Sequence, residues 1–162
     1  MTVKYIILHW TGGNYKPCQT DLDSYQLLID NEGKRYNGKP VGKTSSTGGM
    51  NSITYNISCC GGLDRTPITK VQIEAMFKAA AEKCKEYNLK PANCYTHAAI
   101  GDMCKKGTIT MLLPMNRWLY QNIGKIDLIK TPYITGTAAE TDNFIRKKIN
   151  WYYIYKNAFN IN

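Results

Sequence analysis

The four apolar residues Tyr5-Ile6-Ile7-Leu8 run straight into His9, and Gly12-Gly13 stops the run soon after. A short unbroken apolar run closed by glycines predicts a buried strand. Residues 14–21 are polar and predict a loop. Residues 24–30, with Leu27-Leu28-Ile29 at their centre, predict a second strand. Asn31-Glu32-Gly33 is a turn, and residues 34–37 can pair back as a hairpin. Residues 38–51, rich in Gly, Ser and Thr, predict a mobile wall of a cleft rather than core. Residues 52–60 form a third apolar strand, closed by Gly61-Gly62.

The period then changes. Thr69 and Gln72 have the spacing of a capping box, and the helix they open extends to about Tyr87. Val71, Ala75, Phe77, Ala79 and Cys84 give it an apolar stripe, opposite Glu74, Lys83 and Glu86. Residues 93–97 predict a short strand that ends on His97. Residues 101–114 predict a loop with one helical turn, and residues 115–122 a short helix. Pro132 and Gly136 mark a boundary. Beyond it, residues 140–157 have helical spacing, with Phe144, Ile145, Ile149, Tyr152 and Tyr153 apolar. The expected division is a main unit over 1–133 and a helical tail over 134–162.

Composition limits the choices. With 162 residues, 43% of them hydrophobic, the chain can build a proper core. No stretch is long and apolar enough to span a membrane. The N-terminus lacks the features of a signal peptide, which predicts synthesis in the cytoplasm and help from another protein for any export. The net charge of +9 calls for an anionic partner: nucleic acid, anionic lipid or an acidic wall. Basic residues are scattered apart from Arg146-Lys147-Lys148, and no nucleic-acid motif stands out. Six cysteines occur without a C-x-x-C pair, which argues against a thiolate zinc site. Reduced thiols are the expectation, with Cys59, Cys60 and Cys84 buried.

The chain has two histidines, and each closes a short apolar strand. If those strands are neighbours, both imidazoles can face one cleft. A catalytic zinc site takes three protein ligands and an open position. The third ligand must then be an acid or a cysteine after His97. Asp102, Cys104 and Asp127 are the candidates, and composition does not choose among them.

Several stretches resemble the zinc-dependent N-acetylmuramoyl-L-alanine amidases of the type-2 class, which include amidase-type phage lysozymes and peptidoglycan-recognition proteins. The matching stretches are residues 6–11, 25–33, Asn51-Ser52-Ile53 with Gly61-Gly62, Tyr95-Thr96-His97 and Lys125-Ile126-Asp127. They occur in the family's order across most of residues 4–128. The resemblance implies an α/β fold, a mixed central sheet flanked by helices, here with a C-terminal helix. It also implies Zn²⁺ held by His9, His97 and Asp127, since Asp127 ends a Lys-x-Asp unit. Cys104 ranks second because Asp102 stands where that lysine would be. Tyr25 and Lys125 match the family's catalytic tyrosine and lysine. Two departures concern proton transfer: Ala99 stands where relatives often carry an acid, and residues 55–60 lack the acid of some cytosolic relatives.

The implied activity is hydrolysis of the amide between the lactyl group of N-acetylmuramic acid and L-alanine in bacterial peptidoglycan. The implied setting is a phage or prophage endolysin, made in the host cytoplasm and acting on the wall after release. A wall-recycling amidase and a non-catalytic peptidoglycan-binding module are the alternatives. The basic tail is a further candidate for contact with an anionic wall or membrane surface.

Overall fold

The computed structural model describes residues 2–159. Met1 and residues 160–162 lie outside that range, as do the side chains of residues 156–159, so the end of the expected 134–162 tail falls there. Five strands form one sheet: β1 (Tyr5–Trp10), β2 (Leu27–Ile29), β3 (Arg35–Asn37), β4 (Thr54–Cys59) and β5 (Cys94–Thr96). Their order is β3-β2-β4-β1-β5. All neighbours are parallel except the β2–β3 hairpin at one edge. The helices are α1 (Gln19–Ser24), α2 (Lys70–Glu86), α3 (His97–Lys106) and α4 (Ala138–Phe159). A mixed sheet flanked by helices, with a C-terminal helix, is the expected architecture.

Alternation along β1 divides the core into two layers. Ile6, Leu8 and Trp10 join the larger cluster, which includes Ile73, Met76 and Phe77 of α2 and Ile145 and Ile149 of α4. Ile7 faces the opposite way, into a smaller cluster with Met50, Ile100, Cys104, Ile109 and Leu119. His9 follows Ile7 at a spacing of two, so it shares the α3 side of the sheet. Because β1 and β5 are parallel with Leu8 opposite Thr96, His9 and His97 both emerge at the C-terminal edge of the strands. Ligand sites of open α/β sheets form outside that edge.

Several local readings change. The loop of residues 14–21 contains the start of α1, whose first turn is closed by Asp21 accepting from the Cys18 N–H at 3.0 Å. His97 opens a ten-residue helix, where a strand end and, from residue 101, a loop with one helical turn were expected. Thr96 caps that helix, accepting from the Ala99 N–H at 3.1 Å. The helix was hard to see because it is short and half of its buried residues are Ala98, Ala99 and Gly101. The capping box of α2 forms as read, with the Gln72 N–H donating to Thr69 Oγ1 at 3.2 Å. Phe77, Ala79 and Cys84 of the expected stripe are buried, but Val71 is 60% exposed, and Gln72 and Ile73 are buried. Gln72 tolerates burial because its amide nitrogen donates to the carbonyls of Ile29 and Cys60. The polar 38–51 loop is partly core, since Thr44, Thr47 and Met50 are buried.

The basic cluster of the tail is largely engaged within the chain. Arg146 pairs with Asp142 and donates to the Cys94 carbonyl, while Lys148 lies 3.5 Å from Glu74. Tyr133 and Tyr152 both donate to the Glu74 carboxylate at 2.6 Å, tying α4 and the segment before it to α2. Lys147 is exposed and makes no ion pair among the described residues. Two substitutions separate the two faces of α4. Ile149→Ala should lower unfolding free energy by about 2–5 kcal/mol, because a fully buried side chain leaves a cavity. Trp151→Ala, on the exposed face, should stay within about 0.5 kcal/mol. Urea denaturation of both variants measures this, and equal small effects would mean that α4 is not part of the core.

Candidate metal centre

Three elements deliver three side chains to one point. β1 supplies His9, the first turn of α3 supplies His97, and the loop after the 3₁₀ turn Arg117–Asn122 supplies Asp127. That loop can lie against α3 because residue 101 is glycine: a Cβ there would sit 2.1 Å from the Asn122 carbonyl oxygen. Just after Asp127, Leu128 takes a left-handed φ of 65° with its side chain fully buried. A non-glycine residue in that region is strained, and here core burial holds the turn that aims Asp127. The Trp10 N–H fixes the carboxylate further, donating to Oδ2 at 3.1 Å.

The ligand atoms of His9, His97 and Asp127 all lie within 4.8 Å of one another. His9 Nδ1 is 3.7 Å from Asp127 Oδ2, and His97 Nδ1 is 3.6 Å from Asp127 Oδ1. Those gaps exceed a hydrogen bond. Ligands about 2.0–2.1 Å from one tetrahedral ion would sit roughly 3.3 Å apart, close to the two histidine–carboxylate spacings. His9 Nδ1 is a buried nitrogen with no hydrogen-bond partner among the described residues. A buried orphan lone pair aimed at a second imidazole and a carboxylate fits a metal ion, and two nitrogens with one oxygen suit zinc.

Charge states agree with that reading. Burial, reinforced by the neighbouring His9, pushes the His97 pKa down to about 4, against the opposing pull of Asp127. Burial works to raise the Asp127 carboxyl, but the two histidines and the Trp10 N–H outweigh it and hold it below the usual carboxylate range. A neutral imidazole and an ionised carboxylate are the metal-binding forms.

Two other side chains flank the three. The Tyr25 ring centroid is 5.0 Å from that of His9, and burial, then the Asp127 charge, pushes its phenol well up. Lys125 is exposed, and its charge reaches His97 and opposes protonation there. Tyr25, His97, Lys125 and Asp127 line a cleft of about 430 Å³ together with Trp10, Thr11, Ser45 and Ser46. The other third-ligand candidates lie elsewhere. Asp102 pairs with Lys106 at 2.9 Å, and Cys104 is buried in the smaller core cluster.

A family model described as N-acetylmuramoyl-L-alanine amidase matches residues 1–110. The chain belongs to that family, the type-2 amidases. The matched stretch contains His9, Tyr25 and His97 but ends before Lys125 and Asp127, which the fold brings to the same cleft. Among solved structures, the Staphylococcus aureus hydrolase AmiA superposes with a TM-score of 0.63 at 13% identity, covering 97% of this chain and 76% of AmiA. The N-acetylmuramoyl-L-alanine amidase LysC from Clostridium intestinale URNW gives 0.51 at 19% identity, over 60% of this chain and 71% of its own. The endolysin N-acetylmuramoyl-L-alanine amidase LysCS from the same organism gives 0.51 at 20%, over 60% and 70%. At these identities the likeness is one of fold. No curated protein matches the chain.

Two residues at the centre escaped sequence reasoning. His9 Nε2 is 2.8 Å from Asn56 Oδ1, and His97 Nε2 is 2.8 Å from Asn122 Oδ1. A signal for Asn56 was present: Thr54, Asn56 and Ser58 alternate with Tyr55, Ile57 and Cys59, which ordinarily marks a solvated face. Here all six are buried. Asn122 carried no such signal.

The buried histidine sets a pH dependence for the metal-free protein. An unfolded histidine has a pKa of about 6.5, above the folded value of about 4 for His97. Between those values the unfolded chain takes up a proton that the folded chain refuses. Stability therefore falls as pH drops through that window, and the depressed Asp127 carboxyl extends the fall below it. The urea midpoint should drop between pH 7 and 5.5, and less steeply in His97→Gln. A midpoint independent of pH over that range would contradict the assignment.

Proposed function

We propose that the chain hydrolyses the amide between the lactyl group of N-acetylmuramic acid and L-alanine in bacterial peptidoglycan. The observation that carries this is the convergence of His9 Nδ1, His97 Nδ1 and the Asp127 carboxylate at the base of an open cleft, in a chain of the amidase family. These three residues would hold Zn²⁺. Bound there, the ion supplies Lewis acidity and lowers the pKa of water to roughly 7.

The chain's own groups then have separable tasks. The Lys125 ammonium, free of ion pairs among the described residues and facing the cleft, stabilises negative charge growing on the scissile carbonyl oxygen. The raised pKa of Tyr25 keeps its phenolic proton in place at neutral pH. Tyr25 therefore acts as a hydrogen-bond donor that orients the reacting groups and faces the departing amine, rather than as a base. With no acid on β4 facing His9, Asn56 and Ser58 occupy the positions from which a carboxylate could act.

The setting we favour is an endolysin. A net charge of +9 suits an anionic wall, and the fold relative LysCS is an endolysin. Within this reading α4 belongs with the catalytic unit, and its outward Lys147 and Trp151 are what it offers an anionic surface.

Mass spectrometry of digested peptidoglycan identifies the bond: new L-alanine amino termini with intact glycan strands are expected. Products with new reducing sugar ends would contradict the reading. Chelation should abolish turnover. Lys125→Ala should retain zinc and lower kcat by about 10²-fold, as removal of an oxyanion donor does. Tyr25→Phe should also retain zinc and slow turnover. Near-normal kcat in either variant removes that residue from the mechanism.

A further inference from the structure

We propose that Asn56 and Asn122 are positioning residues that lock both imidazoles in the Nε2–H tautomer, so that His9 and His97 offer bare Nδ1 atoms beside Asp127. The orientation of each asparagine amide follows from backbone groups whose roles are fixed. The Asn56 peptide N–H can only donate, and it does so to Gln26 Oε1 at 2.8 Å. That fixes the Gln26 amide, whose nitrogen donates to the Pro40 carbonyl and to Thr44 Oγ1. Gln26 Oε1 also lies 3.0 Å from the Asn56 side-chain nitrogen, so the Asn56 oxygen must face His9. Thr47 directs its hydroxyl proton to the same oxygen at 2.9 Å. An acceptor 2.8 Å from His9 Nε2 requires the proton on that nitrogen.

An independent set of backbone groups fixes the amide beside His97. The Asn122 side-chain nitrogen lies 2.9 Å from the Gly48 carbonyl and 3.0 Å from the Leu119 carbonyl, both pure acceptors. Its oxygen therefore faces His97 Nε2 at 2.8 Å and takes that proton. A neutral imidazole carries one N–H, so each Nδ1 keeps its lone pair. Both asparagines are essentially buried, at 0% and 1% exposure, so water does not compete for these bonds. Partners behind a metal-binding histidine fix its tautomer and ring orientation. The Gly48 carbonyl adds a consequence: the 38–51 loop takes part in orienting His97.

The tautomers themselves can be read without metal or substrate. The chain has only two histidines, so the long-range ¹H–¹⁵N spectrum of histidine-labelled protein contains two rings. At pH 8 both should carry the proton on Nε2, with and without added zinc. A ring with its proton on Nδ1 and a bare Nε2 overturns the proposal. A second arm rests on the metal reading above. Asn56→Leu and Asn122→Leu should each weaken zinc binding by about 10- to 100-fold in competition with a chelator. Asn56→Asp, which keeps an acceptor oxygen, should recover most of that loss. Leu variants that bind zinc as tightly as the unaltered protein would also overturn it. If Asn56→Leu or Asn122→Leu does not fold, the spectrum of the unaltered protein still decides. Failure of the unaltered protein to bind zinc defeats the metal reading but leaves the tautomer result standing.

Discussion

A carboxylate at 7% exposure lies between two imidazoles at 1% and 5%, and the surrounding structure is arranged to tolerate that burial. An uncompensated charge there would be strongly destabilising. The Trp10 N–H donates to the carboxylate, and a set of amides holds the far side of each ring. The groups come from four places in the fold, so the centre ties β1, β4, α3 and the 117–128 segment together. Neither Nδ1 lies within hydrogen-bond distance of the Asp127 carboxylate, and His9 Nδ1 is fully buried without a partner among the described residues. Bare nitrogens beside a carboxylate are the arrangement on which the proposed metal site rests.

The sheet makes this meeting possible. Parallel pairing of β1 with both β4 and β5 sends all three C-terminal ends to one edge. His9 then emerges beside the start of α3, and Gly101 lets the 122–127 segment come close. The larger core lies on the opposite side, where α2 and α4 pack. Bulk stability and the polar centre thus occupy different faces, which leaves the α3 side free to carry buried polar groups. The strained turn at Leu128 is anchored through the sheet by that larger core.

Much of this was legible in the residues. The apolar runs before His9 and His97, the capping box at Thr69 and the turn at Gly33 stated the strands and the long helix directly, because each depends on local chemistry. The start of α3 was not legible: Ala and Gly carry little periodic signal, and the helix is defined by close packing. Asn56 was passed over within an apolar strand, because alternation alone does not reveal a buried amide network. Asp127 was singled out by resemblance, since a lone acid in a loop says nothing by itself. Its arrival beside the histidines depends on Gly101 and on the 117–128 path, which are tertiary facts. The polar 38–51 loop read as a mobile wall, yet Thr47 and the Gly48 carbonyl support the histidines through Asn56 and Asn122.

The central claim is that one ion is held by two imidazole nitrogens and the Asp127 carboxylate, with Cys104 taking no part. X-ray absorption at the zinc edge of the zinc-loaded protein tests it most directly. The account predicts a shell of nitrogen and oxygen at about 2.0–2.1 Å with imidazole scattering from two rings and no sulfur. A sulfur shell near 2.3 Å would contradict it.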